Sequence, residues 1–156
     1  MLITLGRALQ YLERFEQKAE LFYRRLAGIF AENGSTALVF ARLADQEKAH
    51  RDLILFQMRI LKGSEELFSR IEFNVNEMLV AADEIDRAMT RNEISLEEAV
   101  ALCRRMEESY CESHLKLAAL KIEGEMLKLV ENLAADDKAH IALLDGLRNP
   151  ARNQGS

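Results

Sequence analysis

The chain has 156 residues, which suits one domain with a sizeable buried core. Its net charge of −5 supplies no basic face for nucleic acid, and no apolar run reaches the ~20 residues that span a bilayer. No nucleic-acid or membrane partner is therefore expected, and the cytoplasm is the default location. Cys103 and Cys111 lie eight apart on one helical stretch, too far to bridge. No C-x-x-C pair exists, which excludes a rubredoxin-type iron site and a thioredoxin-like motif.

The chain is rich in Ala, Leu, Glu, Lys and Arg, the good helix formers. Its one proline, Pro150, follows the last apolar run. A first helix is predicted from Ile3 to Ala31, with Leu5, Leu9, Leu12, Phe15, Ala19, Phe22, Leu26 and Ile29 on one stripe. Asn33-Gly34 breaks it, and Ser35 can cap a second helix from Thr36 to Leu61. Val39, Phe40, Leu43, Leu53, Ile54 and Met58 form the second stripe, and Gly63 ends the helix. A long connection runs from Ser64 to Ile94 and carries a helical piece near Asn76–Thr90, with Met78, Leu79, Ala82, Ile85 and Met89 on one side. Ser95-Leu96-Glu97-Glu98 fits a capping box for a third main helix reaching Ile122. Gly124 marks the turn, and a fourth runs from Glu125 to Leu147. Short turns make antiparallel neighbours. The expectation is an all-α four-helix bundle over residues 1–148, two antiparallel hairpins joined by a long crossover containing a short helix. A polar tail at 149–156 is expected to be loose.

The main signal is an internal repeat. Leu43-Ala44-Asp45-Gln46-Glu47-Lys48-Ala49-His50 matches Leu133-Ala134-Ala135-Asp136-Asp137-Lys138-Ala139-His140, with five of the eight positions identical. Upstream, Glu16, Phe22-Tyr23 and Leu26-Ala27 match Glu107, Ser113-His114 and Leu117-Ala118. Such a repeat suggests duplication of a helix pair. Residues three apart share a helix face, so Glu47 with His50, and Asp137 with His140, can reach one point. Packing the hairpins about a pseudo-twofold axis adds Glu16 and Glu107. Oxygen and nitrogen donors of this kind suit iron or manganese. Four carboxylates balance two divalent cations, whereas without metal four inward acids repel one another and favour protonation.

At these residues the chain resembles the rubrerythrin branch of the ferritin-like superfamily, over roughly residues 5–147. A single Glu-x-x-His is a weak motif. Two at matched spacing, each with an upstream Glu helix, are much stronger. The resemblance implies a di-iron carboxylate oxidoreductase that reduces peroxide or oxygen while oxidising ferrous iron. Its implied ligands are Glu16, Glu47, His50, Glu107, Asp137 and His140, with Tyr23 bonded to a ligand carboxylate. Two irons are the implied cofactors, with manganese or a mixed pair as the alternative. Peroxide or oxygen is the implied small substrate, and a homodimer the default assembly.

Three departures stand out. Asp137 occupies a position where Glu is expected, and its carboxylate falls short by ~1.5 Å. Neighbouring Asp136 points about 100° away on the helix and is a poor substitute. His114 replaces a second tyrosine; it can hydrogen-bond a ligand or bind metal, though a structural or exposed role is the simpler expectation. With no rubredoxin-like domain, a peroxidase would need electrons from a separate protein. Position 110 is also Tyr, where rubrerythrins proper tend to carry an extra Glu.

Glu13, Glu20, Glu108 and Glu112 are expected to be solvated. Phe22, Phe30, Phe40 and Phe56 are expected in the core or an interface, and Tyr23 divides between core packing and a ligand bond. The competing functions are iron storage or delivery, and a non-enzymatic dimeric module with a degenerate metal site.

Overall fold

The computed structural model describes residues 2–118 and 124–148. Five helices are formed among them: α1 (Leu5–Ile29), α2 (Gly34–Ile60), α3 (Asn76–Met89), α4 (Leu96–Ala118) and α5 (Gly124–Arg148). α1 packs along α2 and α4 along α5, while α3 lies against α4 and α1. Both pairs are antiparallel. Arg51 near the middle of α2 reaches Glu20 while Phe40 reaches Phe30, and Arg104 pairs with Asp145 while Cys111 meets Ala134.

The first helix starts later than its periodicity suggests. Leu2–Thr4 (β1) pairs antiparallel with Arg70–Glu72 (β2), a two-stranded ribbon that pins the crossover to the start of the chain. The Thr4 hydroxyl then accepts from the Arg7 N–H at 3.2 Å and caps α1. α2 starts earlier than expected, because its cap is Asn33, which accepts from Thr36 N–H at 3.3 Å. Ser35 instead donates its hydroxyl to Asn33. Ser95 caps α4 through the Glu98 N–H at 3.2 Å, but the Glu98 carboxylate turns to Arg91, so half of the capping box is made. Gly63 and Gly124 take positive φ, +86° and +64°, where an L side chain would be strained. The expected end of the third main helix at Ile122 and the expected tail lie outside the described residues.

The core runs the length of the bundle. Leu5, Leu9, Leu12, Tyr23, Leu26, Phe40, Leu43, Ile54, Met78, Met106 and Leu144 are fully buried. Three expected core residues face outward: Leu53, Phe56 and Leu79. Leu53 directly precedes the buried Ile54, and about 100° of helix separates consecutive side chains. On α2 that step carries Leu53 to the outward side.

Candidate metal centre

Midway along the bundle the apolar core gives way to a buried polar chamber. Glu16 comes from α1, Glu47 and His50 from α2, Glu107 and His114 from α4, and Asp137 and His140 from α5. None is more than 3% exposed. Each hairpin supplies an equivalent stretch of helix, so the sequence repeat becomes a spatial one.

Two groups of donor atoms converge, each within 4.8 Å: Glu16, Glu47 and His50, and Glu47, Glu107 and His140. Glu47 belongs to both. Its Oε2 lies 3.3 Å from His50 Nδ1, and its Oε1 lies 2.8 Å from His140 Nδ1. Glu16 Oε2 lies 3.6 Å from His50 Nδ1, and Glu107 Oε2 lies 3.3 Å from His140 Nδ1. The structure thus gathers five of the six expected ligands. The sixth, Asp137, is fully buried beside them but belongs to neither group among the described residues. Its Oδ2 lies 2.7 Å from His114 Nδ1.

Tyr23 donates its hydroxyl to Glu107 Oε1. Its repeat mate His114 occupies the mirrored place, with Nε2 3.5 Å from Glu16 Oε1. Tyr110 donates its hydroxyl to the Phe15 carbonyl at 3.3 Å, and burial and the nearby site carboxylates disfavour its ionisation.

Three residues take positions that the sequence pattern leaves open or places elsewhere. His114 is not exposed; it is entirely enclosed by the site. Asp136 does point away from its own helix's donor face, but that direction leads to α2, where its Oδ2 meets His50 Nε2 at 3.1 Å. Holding Nε2 on the outside leaves Nδ1 facing the chamber. Glu20 is buried between Arg24 and Arg51, whereas Glu108 and Glu112 are exposed as expected. The signal for Asp136 lay in its offset, which aims it at the other hairpin.

The electrostatics follow from burial. Burial and the adjacent Glu47 raise Glu16 to about 7. Burial also raises Glu107, opposed by His140, and raises Asp137, opposed by His114. For His50, burial works against the charged form, yet Glu16 and Glu47 outweigh it and raise it to about 11. The same contest, with Glu107 and Glu47, raises His140 to about 10. Burial and Glu107 push Tyr23 well above its ordinary value, so it remains a donor.

These protons do not satisfy the chamber. Both oxygens of Glu16, both of Glu47, and His50 Nδ1 have no hydrogen-bond partner. An unsatisfied buried polar atom costs about 1–3 kcal/mol. Several aimed at common points are accounted for if a cation is the shared partner. Carboxylate oxygens with two imidazole nitrogens fit hard-to-borderline divalent ions such as iron or manganese. The donor set therefore fits a two-metal group.

An antiparallel helix bundle with paired carboxylate–histidine clusters defines a ferritin-like carboxylate protein. The rubrerythrin family model matches residues 8–148, and the chain belongs to that family. Among solved structures, it is similar to a protein of Thermotoga maritima described as ferritin-like diiron-carboxylate. That match has a TM-score of 0.77 and 21% identity, and covers 96% of this chain and 98% of the other. No curated protein matches the chain. Among the described residues, no helix is long and apolar enough to cross a membrane.

Proposed function

We propose that this protein is a di-iron oxidoreductase that reduces peroxide or oxygen while oxidising ferrous iron. The observation that carries the reading is the double use of Glu47, whose two oxygens face separate donor groups among buried side chains. Glu16 and His50 would complete one metal position, and Glu107 and His140 the other. Bound iron would supply one-electron redox steps that no side chain here provides. Tyr23 fixes the Glu107 carboxylate, and Asp136 fixes the His50 ring. Burial limits water, so each donor acts in a medium where electrostatic contacts are strong. Electrons would come from a separate donor protein in a catalytic cycle, and a homodimer is the expected assembly.

Anaerobic titration of metal-stripped protein with ferrous iron tests this. Two tightly bound irons per chain, oxidised on adding peroxide or oxygen, are expected. Glu47→Ala combined with His140→Ala should abolish that oxidation, and an unchanged rate would sink the assignment. Binding without oxidation would favour iron handling or a non-enzymatic module.

A further inference from the structure

Asp137 and His114 are two of the positions where the halves of the repeat differ, opposite Glu47 and Tyr23, and the structure places them in contact. Oδ2 of Asp137 lies 2.7 Å from Nδ1 of His114, and the opposite ring nitrogen lies 3.5 Å from Glu16 Oε1. The first contact is a hydrogen bond between α5 and α4; the second is a close approach of α4 to α1, in which His114 Nε2 and Glu16 Oε1 face each other without one. At the mirrored position Tyr23 has one polar atom and reaches one carboxylate, Glu107. An imidazole has polar atoms on opposite edges and can face two. The aspartate is also one methylene shorter than its mate Glu47, which reaches both histidines of the clusters. A short acid buried without a partner is costly, and the histidine supplies that partner.

We infer that His114 holds Asp137 out of the ligand set, so that Asp137 is a positioning residue acting through the imidazole. Glu47 would then be the one carboxylate common to the two donor groups that would hold the ions. The inference rests on the two-metal reading above. Its rival is specific: Asp137 Oδ1 has no partner and would be the atom to turn toward a metal if Asp137 were a ligand.

The test uses the full-length chain with 15N-labelled histidine, loaded with zinc, which is diamagnetic. The Nδ1 proton of His114, identified by its loss in His114→Gln, should persist after two zinc ions per chain have bound. It should shift or vanish in Asp137→Asn. Loss of that proton when zinc loads the unaltered protein would show Asp137 leaving His114 for the metal and overturn the inference.

Zinc titration gives a second readout. Asp137→Asn should still hold two ions, with affinity at the Glu16 position reduced about 10- to 100-fold, the usual cost of losing an orienting partner. Glu107→Gln should hold one. Asp137→Asn holding one as well would overturn the inference. If the unaltered protein binds fewer than two ions, the two-metal reading itself falls and takes the inference with it. Two ions bound with the proton lost sinks the inference alone.

Discussion

The carboxylates beside His50 and His140 favour the protonated imidazoles, so a cation bound there would compete with protons. Their values are raised to about 11 and about 10 by the adjacent carboxylates, after burial has opposed the charge. Coordination through Nδ1 requires a neutral imidazole. Metal binding at pH 7 should therefore release close to two protons from the histidines, plus part of one from Glu16, which is raised to about 7. Each released proton makes the affinity rise about tenfold per pH unit while the metal-free group is still protonated. Calorimetry in buffers of different ionisation heat should count these protons. A release near zero at pH 7 would mean that the ring nitrogens are not the donors.

Among the helices, the pattern that was legible in sequence was the one physics makes periodic. Apolar spacing marks the main helices, and the repeat singles out Glu16, Glu47, His50, Glu107, Asp137 and His140, six buried residues of which the structure groups all but Asp137. What stayed hidden depended on contacts between segments distant in sequence. The pairing of β1 with β2 carries no strong local signal, since each is three residues long. Asp136 could be recognised as a partner of His50 only once α2 and α5 were side by side. Leu53 and Phe56 are apolar on an otherwise helical pattern, so composition alone placed them inward. At this scale, Leu12→Ala should cost about 2–5 kcal/mol in denaturant unfolding, because the side chain is fully buried in α1. Leu53→Ala, half exposed on α2, should cost much less. Equal losses would mean that α2 is rotated from the orientation described.

For the molecule as a whole, the chamber makes stability depend on pH with a definite sign. Glu16 is raised above its ordinary 4.5, and His50 and His140 above their ordinary 6.5. The folded metal-free protein then binds more protons than the unfolded chain, and its stability falls as pH rises. Glu16 contributes that slope between about 4.5 and 7, and the histidines between 6.5 and about 10 to 11. Metal binding has the opposite slope, since it needs those protons gone. Thermal unfolding of stripped protein should show Tm falling from pH 6 to 8. The increment produced by added ferrous or manganous ion should grow over the same interval. Ion at 100 times its Kd contributes about 2.7 kcal/mol per site. A stripped protein that gains stability toward pH 8 would contradict the proton inventory of the chamber.

The unequal provenance of the two donor groups has a consequence for how the molecule comes together. Glu16, Glu47 and His50 all belong to the α1–α2 hairpin, whereas the other group joins Glu47 to Glu107 and His140 across the seam between hairpins. The donors of the first group come together when the N-terminal half closes on itself, and Asp136 of α5 then fixes the His50 ring. The other exists only after both halves have docked. If metal binds as proposed, an ion in the second group would hold the two docked halves together, a clasp that the first group does not provide.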